Sequence, residues 1–186
     1  MTLKPKIVGL CGTSGSGKTL TCQKMVAELR SAGVACCGFI SPAVFEKTEK
    51  TAIKVQWLES DEERILLSSV TPESQLRFGR WQIHPDVFDW INHKLESLQY
   101  CKVFLCDEIG PLEVLEGKGW VGALDFVEER KFELAVTTFR PSLREYFEQR
   151  FTEMTIYDLD QPGTREKVMT VVRNMFGIGQ SRQNQS

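Results

Sequence analysis

The feature that most constrains this chain is the run Gly12-Thr13-Ser14-Gly15-Ser16-Gly17-Lys18-Thr19, set directly behind the apolar stretch Lys6 to Cys11. Glycines here let the backbone turn so that successive N–H groups face inward. Behind the turn, Cys22, Met25, Val26 and Leu29 recur at helical spacing, which predicts a helix over about Lys18 to Arg30 that stops at Gly33. A strand, a glycine-rich turn matching G-x-x-x-x-G-K-[ST] and a helix N-terminus together make a cradle for phosphate oxygens. The cradle is expected to comprise Gly12, Thr13, Ser14, Gly15, Ser16, Gly17, Lys18, Thr19 and the next residue, Leu20. Within it, Lys18 is expected to reach the β and γ phosphates of a nucleotide, and the Thr19 hydroxyl to bind Mg²⁺.

Further along, short β-type runs alternate with helical patterns, the signature of βαβ units and a parallel sheet. Strands are predicted over Val34 to Ser41, Lys102 to Cys106, Phe132 to Thr137 and Met154 to Asp158. Helices are predicted around Val87, Ile91, Leu95 and Leu98, over Gly119 to Arg130, and over Thr164 to Phe176, with a short one opened by a capping box at Ser142 to Glu145. The stretch 42–82 breaks the alternation: Ala52 to Leu58 has period two and faces Arg64 to Leu67 across a polar turn, which reads as a β-hairpin excursion. The fold class is therefore α/β, with three layers around a mostly parallel central sheet. Residues 1–180 are read as a single domain carrying this excursion, and 181–186 as a disordered tail.

Charge narrows the partners. With 23 Lys+Arg against 25 Asp+Glu the net charge is −2, so the chain lacks the standing positive field that coating nucleic acid or an anionic membrane requires. No apolar run approaches the roughly 18 residues of a membrane span, and Ile7 to Cys11 is too brief for the apolar core of a signal peptide, so a cytoplasmic location is expected. Six cysteines without a C-x-x-C are read as buried free thiols, and the two histidines, His84 and His93, do not suggest zinc.

A second signal follows the apolar strand Val103 to Cys106, which ends in Asp107-Glu108. Ligands bind at the C-terminal ends of parallel strands, so both acids are expected beside the phosphate loop. Asp107 suits the Walker B role of holding Mg²⁺ directly or through water, and Glu108 is placed to orient an attacking water or take its proton. Both acids also suit a plain strand cap ahead of Gly110-Pro111. Thr137 and Thr138 end the following strand, where a hydroxyl can meet the γ phosphate. Arg140 is a candidate for stabilising transition-state charge. Arg77 and Arg80 flank Phe78 and Trp81 on a segment read mainly as a solvated strand face, and Trp57, Trp81 and Trp90 are read mainly as core, with base stacking as the other role.

Neither [NT]-K-x-D nor L-S-G-G-Q occurs, which removes the guanine-reading element of small GTPases and the transporter ATPases. The Asp-Glu pair suggests P-loop enzymes with an extra catalytic glutamate and a strand inserted between the P-loop and carboxylate strands. At Gly12 to Thr19, Gly38 to Ser41, Phe78 to Trp81, Cys106 to Glu113 and Thr137 to Arg140, the sequence resembles the small cancer-related (thermophilic-type) nucleoside-triphosphatases, which are related to RecA-like P-loop enzymes. The resemblance implies Mg²⁺-dependent hydrolysis of ATP, GTP or another nucleoside triphosphate, with Lys18, Asp107 and Glu108 as matched positions. It departs at Pro111, where lysine is common, and at Thr51 to Lys54, where a basic stretch is expected. Two other functions fit the same residues: a nucleotide or small-metabolite kinase with Arg77, Arg80, Arg140 and Arg144 as an arginine lid, and a nucleotide-switched adaptor that meets a protein partner through Phe78, Trp81 and Trp120. Oligomeric state leaves no mark in the sequence.

Overall fold

The structure, a computed structural model, describes residues 4–70 and 77–179. Its elements run β1 (Lys6–Cys11), α1 (Lys18–Ser31), β2 (Cys36–Ile40), β3 (Ala43–Glu46), β4 (Glu49–Trp57), β5 (Glu63–Ser69), β6 (Arg77–Phe78), β7 (Trp81–Ile83), α2 (Asp86–Ser97), β8 (Cys101–Ile109), α3 (Pro111–Glu116), α4 (Val121–Glu129), β9 (Phe132–Phe139), α5 (Arg144–Arg150), β10 (Thr155–Asp158) and α6 (Thr164–Phe176). The tail read at 181–186 lies outside the described residues.

One sheet takes the order β10-β1-β9-β8-β2-β4-β5-β7-β6, with β3 added on β4. The neighbours from β10 to β2 pair in parallel, as the apolar, non-alternating strands require. β9 lies between the P-loop strand β1 and the carboxylate strand β8, so the inserted strand is present. Alternate side chains of these strands feed two cores. On one face Val8, Leu10, Leu105 and Val136 pack with Cys22, Met25 and Leu29 of α1 and Val168 and Val172 of α6; on the other Phe104, Ala135 and Phe139 pack with residues of α2, α4 and α5. These are the three layers.

The 42–82 excursion is more than a detached hairpin. β4 pairs antiparallel with β2, Phe39 opposite Trp57, and β5 and β7 continue the ladder. Trp57 and Val55 are buried on the same face as Phe39, so burial of that side anchors the excursion to the main sheet. β2 lies close against β8: Gly38 has φ +89°, and a Cβ there would stand 2.0 Å from the Leu105 carbonyl oxygen. No side chain can occupy that position.

Four expectations need correction. Ser142 does not cap a helix: Pro141–Leu143 form a 3₁₀ turn, Leu143 becomes the N-cap of α5, and no side-chain cap bond forms. Proline at the first position lacks an N–H and fixes φ, which favours that tight turn. Trp120 is buried at 3% exposure between Phe39 and Phe88, so it offers no partner surface. Cys37 and Cys101, on adjacent strands with Cα atoms 6.1 Å apart, are joined as a disulfide, whereas Cys11, Cys22, Cys36 and Cys106 are buried free thiols. The segment after Gly110 is a helix, α3, that the sequence reading passed over. No described helix is long and apolar enough to cross a membrane.

Candidate functional site

The P-loop leaves β1 at Gly12 and enters α1 at Lys18. Gly17 is the N-cap of that helix, with φ +85°. The Lys18 ammonium folds back over the loop and donates to the carbonyl oxygens of Gly12 at 2.7 Å and Thr13 at 2.8 Å. Burial lowers its pKa from the usual lysine value, while Glu108 and Asp107 work in the opposite sense. Thr13 is tied from outside the motif: its N–H and hydroxyl donate to the two Asp160 carboxylate oxygens at 2.9 and 2.8 Å. These bonds hold the Asp160 carboxyl below the ordinary aspartate range. Arg165 of α6 braces the back of the loop through the Ser16 carbonyl and the Thr21 hydroxyl. Among the described residues the buried Ser16 hydroxyl has no partner.

Across β9, the carboxylate strand ends in a bulge. Cys106 pairs with Thr137 and Ile109 with Phe139, so Asp107 and Glu108 together stand opposite the single residue Thr138. Glu108 takes a left-handed conformation, φ +71°, rare for a residue with a side chain. The Thr138 hydroxyl bridges the bulge. It accepts the Glu108 N–H at 2.7 Å and donates to Asp107 Oδ1 at 2.8 Å. Ser41, at the end of β2, donates its N–H to Asp107 Oδ2 at 3.0 Å, and Thr19 also hydrogen-bonds this carboxylate. Asp107 is fully buried, and burial raises its pKa against the effect of these donors. Glu108 remains half-exposed and meets Arg140 at 3.4 Å.

Glu113 locks the next turn. Its buried carboxylate accepts the N–H groups of Gly110 at 2.8 Å and Trp120 at 3.2 Å, so both ends of the 110–120 segment hang on one side chain. Burial raises its pKa and those two donors lower it. Gly119, at φ +70°, admits the contact, because a Cβ there would lie 2.0 Å from Glu113 Oε1.

A cavity of about 900 Å³ brings these parts together. Ser14, Gly15, Gly17, Lys18, Thr19 and Leu20 line one end, and Ser41, Asp107, Glu108 and Arg140 follow. Arg80 and Trp81 also line it, while Trp57 and Trp90 belong to the core. Thr137 does not join the site. Its side chain is buried on the far face of β9, where its hydroxyl has no partner among the described residues. Arg144 turns away toward Asp158 and Glu148. The Phe78 and Arg77 side chains lie outside what is described. Three positioning groups escaped the sequence reading: Ser41, whose role depends on β2 lying beside β8, and Asp160 and Glu113, whose partners are backbone groups far along the chain or across a turn.

Hard oxygen donors, the Thr19 hydroxyl and the Asp107 carboxylate, meet at the phosphate end of the cavity. Among the described residues no group of three or more His, Cys, Asp or Glu gathers to hold a metal. That donor set fits Mg²⁺, which is bound through one or two carboxylates plus phosphate oxygens and water and does not need an all-protein cage.

A sequence profile for the NTPase family matches residues 7–172. The chain belongs to that family. Among curated proteins, it is similar to nucleoside-triphosphatase THEP1 of Sulfurisphaera tokodaii, 32% identical over 107 residues, covering 58% of this chain and 62% of that protein. A second similar protein, nucleoside-triphosphatase THEP1 of Ignicoccus hospitalis, is 33% identical over 107 residues, covering 58% of this chain and 60% of its own length. The matched chain thus spans less than two thirds of each relative. Two solved structures share the fold: the solution structure of a human cancer-related nucleoside triphosphatase, with TM-score 0.69, 21% identity and coverage of 96% of this chain and 100% of that one, and the crystal structure of THEP1 from Aquifex aeolicus, with TM-score 0.60, 16% identity and coverage of 91% and 98%.

Proposed function

We propose that this NTPase-family chain hydrolyses nucleoside triphosphates to the diphosphate and phosphate. The observation that carries the reading is the bulge at Asp107-Glu108: a strained glutamate, pinned by Thr138, beside a buried aspartate and one strand away from a P-loop. The loop N–H groups and the start of α1 bind and orient the phosphates. Lys18 exchanges its two carbonyl partners for phosphate oxygens, and its buried position strengthens that attraction. Thr19 and Asp107 would hold Mg²⁺, which when bound neutralises phosphate charge. Glu108 orients a water and takes its proton as the oxygen approaches phosphorus. Arg140, released from Glu108, is in reach of the cavity to stabilise charge on the transferring group.

This reading is tested by phosphate release from ATP, GTP, CTP and UTP with Mg²⁺, comparing wild type with Glu108→Gln and Lys18→Ala. Expected are multiple turnovers in wild type, turnover lost with nucleotide binding kept in Glu108→Gln, and weakened binding in Lys18→Ala. Binding without release in wild type overturns it. Action in the cytoplasm follows the sequence expectation and belongs to the same proposal.

A further inference from the structure

The cavity runs well past the groups that phosphate chemistry uses. Part of its wall is apolar: Leu66, Leu67 and Ile83 come from β5 and β7, Phe88 from α2, Leu112 from α3, and Trp120 from the turn before α4. Phe88 and Trp120 pack as a tilted aromatic pair with ring centroids 4.4 Å apart, and Trp120 is in turn fixed by Phe39 at 4.9 Å. Activating a water needs none of this. An open apolar chamber keeps unfavourable contact with solvent unless something fills it.

The rim has a different character. Lys50 and Arg80 both lie over the Trp81 ring, at 5.8 and 4.7 Å from its centroid, and all three residues line the cavity. Among the described residues Lys50 has no carboxylate partner, and Arg80 has only a loose contact with Glu49 at 4.0 Å. Among the described residues, then, two cations with little compensation line an apolar cavity. A rigid apolar body carrying one anionic group matches that pattern. At about 900 Å³ the whole cavity lies at the upper end of the range for ligand pockets, roughly 300–1,000 Å³.

We propose that this chamber is a second ligand site, separate from the nucleotide's, which takes a small aromatic or branched-apolar anion. The apolar body packs on Phe88, Leu67 and Leu112, and the anionic group meets Lys50 and Arg80 at the rim. Glu108 lines the same cavity, so the occupant displaces water that faces this carboxylate, and the effect on turnover rests on the hydrolase reading.

The test uses 2-naphthalenesulfonate, a flat apolar body with one sulfonate, titrated calorimetrically into wild type, Lys50→Ala, Arg80→Ala and Leu67→Glu. Each titration is run with and without saturating Mg²⁺ and β,γ-imido-ATP. Expected is one site per chain in wild type, affinity changed less than threefold by the nucleotide analogue, and at least tenfold weaker binding in Leu67→Glu and in the Lys50→Ala/Arg80→Ala double variant. Phosphate release falls as the probe saturates wild type, and at the same probe concentration falls less in the double variant relative to that variant's own probe-free rate. No binding, equal binding by all variants, or mutual exclusion of probe and nucleotide analogue overturns the proposal; the last outcome assigns the chamber to the nucleotide itself. Release unchanged by bound probe refutes the displacement of water at Glu108. The binding arm needs no turnover, so a wild type that binds the probe and releases no phosphate keeps the second site and sinks only the hydrolase reading.

Discussion

Thr138→Val is the substitution that most directly tests how the site is held together. Valine keeps the β-branched shape in a position with no solvent exposure and removes only the hydroxyl. Two bonds go with it: the one donated to the Asp107 carboxylate and the one accepted from the Glu108 N–H. A hydrogen bond to a charged group is worth about 1.5–3 kcal/mol and a neutral one about 1, so the variant is expected to lose about 2–4 kcal/mol in urea unfolding. Catalysis should fall further than stability implies, because the left-handed Glu108 loses the contact that pins its backbone. A displacement near 1 Å costs about a hundredfold in kcat. Asp107 also loses a donor that lowers its pKa, so the acid limb of the pH–rate profile moves to higher pH. Thr138→Ser restores the hydroxyl and should recover kcat to within a few-fold. A folded Thr138→Val protein with wild-type kcat, stability and pH profile would refute the bridging role.

Other parts of the site give independent tests. Asp107→Asn should abolish Mg²⁺-dependent release, and its amide N–H is set against one of the donors that Ser41, Thr138 and Thr19 present to the carboxylate. Burial puts the folded-state pKa of Asp107 above the ordinary value of 3.8, so its favourable contribution is complete below that value and is lost as pH rises through the folded pKa; wild type must therefore gain stability relative to Asp107→Asn on acidification in differential scanning calorimetry. Glu113→Gln sets an amide N–H against one of two backbone N–H donors and should lose about 2–3 kcal/mol, lowering the melting temperature by about 4–12 °C. Gly38→Ala drives a Cβ into the Leu105 carbonyl and should lose on the order of 3 kcal/mol or more, read as insoluble or readily unfolded protein. Asp160→Ala unties Thr13 and should raise KM for nucleotide severalfold with kcat nearly unchanged; a kcat effect alone would contradict its placement.

What could be read from the sequence was local. The P-loop, α1 and the apolar strands announce themselves because periodicity and glycine spacing act within a few residues, and α6 is found over Thr164–Phe176 as its spacing predicts. The Asp107-Glu108 pair was legible because an apolar run ending in two acids is a pattern along one strand. Bonds between strands were not. Nothing near Thr138 shows that it faces a two-residue bulge, since that depends on the register of β8 against β9. Ser41 reaches Asp107 from 66 positions away, and Asp160 reaches Thr13 from 147. Trp120 was read as surface because the short helix α3, which folds it under Phe88, carries too few residues to show a period.

The bulge also explains why the two acids can behave differently although they are adjacent. In a regular strand, successive side chains point to opposite faces, and Glu108 would enter the core beside Cys106 and Phe104. Inserting one residue and turning Glu108 to φ +71° costs about 1–2 kcal/mol of backbone energy, yet it leaves Asp107 buried against Ser41 and Thr138 while Glu108 stays half-exposed at the cavity. A buried acid held by three donors suits a fixed role beside the phosphates. A half-exposed acid with one loose arginine partner is open to the cavity and free to meet a water. The division of labour thus comes from the backbone, because the neighbouring strand supplies a single hydroxyl for two residues and only one of the acids can follow it inward.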